Sequence, residues 1–157
     1  MKKPMNAAKY ALVVAAIAVA PLGLAAPALA QPPSVEQIDT TEQAIRADGR
    51  YAVLVSNAQH LNAAITTGRS LRARSQAIQF QIVACGKVVK EIATNPEVGD
   101  SVRRAVNEDG LAVVVCGMSV RQLNVDPAAL PPEAPTTENG LTYLFGLQEQ
   151  GFQTIEL

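Results

Sequence analysis

The chain has 157 residues, with 13 basic and 14 acidic side chains for a formal net charge of −1, two Cys, three Tyr, three Phe and no Trp. This composition excludes a disulfide-dense scaffold and a strongly basic surface made for nucleic acid. With so few aromatic residues, any core has to be aliphatic, built from Val, Ile, Leu and Ala.

The first thirty residues carry the three parts of an export signal in order. Lys2, Lys3 and Lys9 form a basic start, Ala11 to Ala20 an apolar run, and Ala28-Leu29-Ala30 an A-x-A site that leaves Gln31 as the first mature residue. A membrane anchor needs about 20 unbroken apolar residues, and Pro21 and Gly23 interrupt this run first. Residues 1–30 are therefore expected to be a cleavable secretory signal, making the product periplasmic or secreted, with no membrane attachment after removal. Cleavage leaves 127 residues with ten basic against fourteen acidic side chains, a net charge of −4. That balance gives no reason to expect nucleic acid as a partner, and the length suits one domain.

Residues 31–48 read as a polar tether that opens with Pro32-Pro33 and ends in a short helix over 35–47. Beyond Asp48-Gly49, residues 49–157 form the expected domain. Tyr51 to Val55 is almost continuously apolar, as in a strand buried on both faces. Leu61, Ala64, Ile65, Gly68 and Leu71 recur at helical spacing, with Arg69, Arg72 and Arg74 turned away as an ordinary solvated face. Ile78 to Ala84 predicts a second strand, ending at Cys85-Gly86. Val88, Val89 and Ile92 begin a helix that Asn95-Pro96 breaks, and Val98, Val102, Ala105 and Val106 rebuild one up to Asp109-Gly110. Leu111 to Val115 is a third strand, ending at Cys116-Gly117. A short helix over 119–123, a proline-rich loop over 125–137 with room for one strand, a helix over 140–150 and a strand over 152–156 complete the chain. Strands alternating with helices require parallel pairing, because each crossover returns the chain to the same end of the sheet. The expected fold class is α/β, a doubly wound open sheet, mostly parallel, of about five strands with helices on both faces.

The strand-Cys-Gly-helix pattern occurs twice, at Cys85-Gly86 and Cys116-Gly117. Glycine permits a sharp turn, and the thiol then faces a helix N-terminus, whose free N–H groups favour a thiolate. Both cysteines fall on the carboxyl edge of the sheet, where ligands collect in such folds. No phosphate-binding glycine loop, serine-nucleophile elbow or H-E-x-x-H is present.

The stretch Leu111-Ala-Val-Val-Val-Cys116-Gly-Met-Ser-Val-Arg-Gln-Leu123 resembles the strand-Cys-Gly-helix segment of DsrE/DsrF-like proteins. Leu61-Asn62-Ala63-Ala64-Ile65 is similar to the start of that family's first helix, and Asn139-Gly140 with Leu147-Gln148-Glu149-Gln150-Gly151-Phe152 to its closing helix and strand. The resemblance covers about residues 50 to 157. It implies a flavodoxin-like domain, a homo-oligomer (trimer or hexamer), and transfer of sulfane sulfur as a persulfide on Cys116; Cys85, which carries the same Cys-Gly pattern, is a candidate second or resolving thiol. Sulfur donor and acceptor proteins or small thiols would be the partners, with no metal or organic cofactor.

In an exported protein the two cysteines are also candidates for a disulfide, and an inert pair remains a third reading. If the strand order begins 2-1-3, as in flavodoxin-like sheets, the second and third strands flank the first. Their cysteines then lie about 9 to 10 Å apart, beyond the ~7 Å that a disulfide tolerates. The same order places Asn57-Ala58-Gln59-His60 between the thiols, making His60 a candidate base or cationic partner. A His/Cys/Cys zinc site lacks the usual close ligand pairs. Asn57, Gly86, Gly117 and Asn139 line the same edge as candidate binding residues, with helix capping and turns the plainer roles for both asparagines. The surviving alternative to sulfur transfer is a non-catalytic binding or assembly module.

Overall fold

A computed structural model describes residues 32–157. The export signal and its cleavage site lie outside the described residues.

The polar leader forms helix α1, Val35–Gln43, opened by a reciprocal capping box between Ser34 and Gln37. It buries no residue and touches the domain through the Arg74 guanidinium, which donates to the Glu42 carbonyl at 2.9 Å. The helix ends one turn before the expected Ala47, where Gly49 N–H bonds back to the Arg46 carbonyl and Arg46 pairs with Asp48.

The domain then runs β1 (Arg50–Val55), α2 (Ala58–Arg74), β2 (Gln79–Ala84), α3 (Lys87–Thr94), α4 (Pro96–Asn107), β3 (Ala112–Cys116), α5 (Gly117–Gln122), a 3-10 turn (Pro127–Ala129), β4 (Thr136–Thr137), α6 (Gly140–Glu149) and β5 (Gln153–Glu156). Every strand pairing is parallel. The fold is the expected doubly wound α/β sheet of five strands. Its order is β4-β3-β2-β1-β5, which corrects the 2-1-3 start: β2 lies between β1 and β3.

This order follows from the handedness of crossovers. From β1 to β4 the chain steps in one direction across the sheet, and right-handed crossovers in one direction put their helices on one face. Helices α2 to α5 accordingly share one core, where Leu61, Ile65, Val88, Ile92 and Val102 meet Val53, Val55, Ile82, Val113 and Val115. The last crossover returns past β1 to β5, and its helix α6 falls on the opposite face. There Leu144, Leu147 and Phe152 cover Ala52, Leu54 and Val83. One face thus carries four helices and the other a single one.

The arginines of α2 have structural partners. Arg69 makes a two-pronged pair with Asp109, at 2.7 and 2.9 Å, and Arg72 donates to the carbonyls of Gln76 and Ile78.

Candidate functional site

Because β2 and β3 are neighbours in register, with Ala84 opposite Val115, the next residues, Cys85 and Cys116, sit side by side at the carboxyl edge. Adjacent strands are about 4.8 Å apart, so the 9 to 10 Å separation expected from a 2-1-3 order does not apply. Both thiols are free, and each shifts the titration of the other. Cys85 is half-buried and Cys116 is buried, with 1% of its surface exposed. The exposure expected of Cys116 is thus absent, and the pair meets solvent at Cys85.

Two helix N-termini converge on Cys116. It is the N-cap residue of α5, and it also lies beneath the start of α6, whose Gly140 N–H donates to Cys116 Sγ at 3.2 Å. Ser119, three residues on in the same turn, also favours the charged form of that sulfur. Burial by itself would raise the Cys116 pKa, but these groups, with the Cys85 thiol, bring it below the ordinary value of 9.0. Cys85 is pushed up to about 12, first by burial, then by the negative charge of Cys116, then by Glu156. The monoanion of the pair therefore resides on Cys116, with Cys85 as the protonated partner.

Ser119, 5% exposed and on the turn that follows Cys116, ties the two Cys-Gly turns together: its Oγ accepts from Gly86 N–H at 2.8 Å. Sequence reasoning noted Ser119 only as a neighbour of Cys116. Its position three residues after an N-cap is a place from which a side chain reaches back to the cap, and that spacing was the available signal. Gly140 was likewise read only as the start of a helix. A Cβ there would overlap Cys85 Sγ and lie 3.1 Å from Cys116 Cβ, so the bare backbone lets both sulfurs pack under α6.

The two turn glycines serve different ends. Gly86 has φ +68° and ψ −142°, a conformation that side chains resist, while a Cβ there would meet only Ser56 at ordinary van der Waals distance. Gly117 has ordinary backbone angles, and a Cβ on it would overlap the Thr137 carbonyl. Its role is close approach of β4 to β3.

Of the remaining candidates, Asn57 and His60 pair with each other, and Asn139 acts on the thiols through the backbone. Asn57 caps α2 by accepting from His60 N–H at 2.9 Å, and its amide faces His60 Nδ1 at 3.1 Å. Strand β1 lies on the far side of β2 from β3, so the Asn57–His60 loop is not between the thiols. No hydrogen bond joins His60 to either thiol among the described residues, which corrects its expected position. Asn139 caps α6, accepting from Leu141 N–H at 2.9 Å, and so fixes the turn that presents Gly140 to Cys116. The strand order reverses between β1 and β5, where Ser56 Oγ donates to the Leu157 carbonyl at 3.3 Å, not at the cysteines. Among the described residues no group of three His, Cys, Asp or Glu side chains could hold a metal, and no helix is long and apolar enough to cross a membrane.

A groove of about 540 Å³ runs along α6, lined by Thr137, Glu138, Asn139, Thr142, Tyr143, Gly146 and Gln150, and neither cysteine is in its wall. A second cavity of about 460 Å³, with Arg46 and Arg50 in its wall, lies at the amino edge of the sheet and reaches neither cysteine.

No protein-family model and no curated protein matches the chain. Two solved structures share its fold. The protein of unknown function MTH1491 from Methanobacterium thermoautotrophicum matches with a TM-score of 0.63 at 18% identity, over 70% of this chain and 100% of that one. The conserved protein of unknown function BT1422 from Bacteroides thetaiotaomicron matches with a TM-score of 0.57 at 14% identity, over 73% of this chain and 99% of that one. At these identities the likeness concerns the fold.

Proposed function

We propose that this is an exported, periplasmic or secreted, DsrE-like protein that carries sulfur or exchanges thiols on Cys116. The observation that carries the reading is the Gly140 N–H donated to Cys116 Sγ at 3.2 Å where the starts of α5 and α6 meet, with Ser119 beside it among the groups that lower the Cys116 pKa. Those groups stabilise a thiolate, and the thiolate is the nucleophile in sulfur exchange. Cys116 attacks a sulfur of a polysulfide or persulfide donor, one donor S–S bond breaks, and the departing sulfur chain keeps the electron pair. Cys116 then holds a persulfide, which an acceptor thiolate removes by attacking the outer sulfur and expelling the Cys116 thiolate. That thiolate is a good leaving group for the reason that it forms readily.

A non-catalytic binding or assembly role is the second reading, favoured by the burial of Cys116 and by Leu141 and Phe145, which stand 46% and 61% exposed on α6. This apolar flank supports the expected homo-oligomer under either reading, since the α6 face carries one helix against four on the other.

Intact-mass analysis after exposure to inorganic polysulfide separates the two. A gain of about 32 Da per sulfur that forms on Cys116 in Cys85→Ala protein, disappears when Cys116 is also replaced by Ala and passes to a small thiol is expected. A free Cys116 thiol that takes no adduct would leave the binding module in its place.

A further inference from the structure

We infer that Cys85 is the resolving thiol of this site: it attacks Cys116 Sγ of the loaded persulfide, closing a Cys85–Cys116 disulfide and releasing the carried sulfur as sulfide. This rests on the carriage of sulfur by Cys116 proposed above.

Three structural facts converge on the step. Cys85 and Cys116 follow the paired residues Ala84 and Val115 on adjacent parallel strands, and the spacing of such strands, about 4.8 Å, falls within the 4.4–6.8 Å Cα range of disulfides. The Gly140 N–H donates to Cys116 Sγ at 3.2 Å, and a Cβ on the same residue would overlap Cys85 Sγ, so both sulfurs lie against one backbone position. Gly140, above them, has no side chain to stand between or over the sulfurs. Cys85 is also the half-buried member of the pair, so it is the group through which the buried Cys116 meets solvent.

Proximity decides the outcome. A thiol held in contact with its target reacts with an effective concentration of about 10⁵ M or more where the alignment is good, which no millimolar thiol in solution and no diffusing acceptor protein matches. In the step, the Cys85 sulfur forms a bond to Cys116 Sγ and the Cys116 Sγ–Sδ bond breaks. The electron pair goes to the leaving sulfur, which takes up the Cys85 proton and leaves as hydrogen sulfide in equilibrium with its anion. The two thiols are oxidised to one disulfide and the sulfane sulfur is reduced to sulfide, so no outside oxidant or reductant enters. A second turnover needs a dithiol reductant to reopen the bond. The device thus ends in sulfide, whereas a carrier with one cysteine would hold its persulfide for an acceptor.

The test compares wild-type, Cys85→Ser and Cys116→Ser protein. Each is reduced, freed of reductant and exposed without oxygen to limiting inorganic polysulfide, then quenched at intervals by alkylation for intact mass and sulfide assay. Cys85→Ser is expected to retain the adduct of about 32 Da. Wild type is expected to lose it at least about tenfold faster, to release more sulfide than Cys85→Ser, and to end about 2 Da below the reduced mass with neither thiol alkylated. Wild-type protein that keeps its adduct as long as Cys85→Ser overturns the resolving role alone. Absence of an adduct from Cys85→Ser, with none and no disulfide in wild type, overturns sulfur carriage by Cys116 and this inference with it. An adduct on Cys116→Ser but none on Cys85→Ser overturns the assignment of roles.

Discussion

Replacing Ser119 by Ala removes one of the groups that favour the Cys116 thiolate and the only side-chain acceptor of Gly86 N–H, at 2.8 Å. A hydrogen bond to a charged group is worth about 1.5–3 kcal/mol, so the thiol–thiolate equilibrium of Cys116 shifts toward the thiol by about tenfold to somewhat over a hundredfold. Each remaining thiolate is more basic and more nucleophilic, which recovers roughly half of that loss on a logarithmic scale. The net slowing of alkylation is then roughly four- to fifteenfold. The assay is iodoacetamide kinetics in a Cys85→Ala background, where Cys116 is the only thiol, with Ser119 present or replaced. The orphaned Gly86 N–H adds a destabilisation of about 1–3 kcal/mol, read from urea unfolding of the same two proteins. Folded Ser119→Ala protein that alkylates at an unchanged rate would refute the argument that Ser119 holds the thiolate.

Other expectations follow from the same geometry. Cys85, raised from 9.0 to about 12, keeps a proton in the native state that the unfolded chain gives up. Its contribution to stability is complete below about pH 9 and is lost as pH rises toward 12, so Cys85→Ala should flatten the alkaline decline in chemical-denaturation midpoints; an unchanged slope would count against the burial and charge coupling. Cys116 has the opposite sign, its native pKa being lowered: its contribution is present above the ordinary thiol value and fades as pH falls through the native one. Gly86→Ala and Gly117→Ala should each cost about 1–3 kcal/mol, the first through backbone strain and the second through overpacking. Only Gly117→Ala should speed hydrogen exchange at Val115 N–H, which bonds to the Pro135 carbonyl at 2.9 Å beside β4. His60→Ala should leave alkylation of Cys116 unchanged, and a slowing of several-fold would restore the histidine to the site. Phe145→Ser, at a 61% exposed position, should leave the monomer's stability within about 0.5 kcal/mol yet lower the mass seen in analytical ultracentrifugation; an unchanged sedimentation coefficient would remove α6 from the assembly surface.

The elements were legible because their signals are local. The run Tyr51 to Val55, the helical spacing of Leu61, Ala64, Ile65 and Gly68, and the stops at Asn95-Pro96 and Gly151 depend on a few neighbouring residues, and the structure places strands and helices there. Capping by Asn57 and Asn139 is local in the same way. The position of both cysteines at the carboxyl edge also follows, because each ends or succeeds a strand whose direction parallel pairing sets.

Which strands are neighbours is a different kind of fact. Apolar runs buried on both faces look alike whichever partner they take, so nothing within β1, β2 or β3 distinguishes an order of 2-1-3 from the observed 3-2-1. The choice is made by how α2 to α6 share the two faces of the sheet, a sum over packing contacts between residues far apart in the chain. By itself the sequence determined that two thiols stand on one edge of a parallel sheet. Only the tertiary structure decided that they stand side by side, that His60 is not between them, and that Ser119 and Gly140 favour one sulfur as a thiolate, because each of these depends on β2 lying beside β3 with α6 crossing above both.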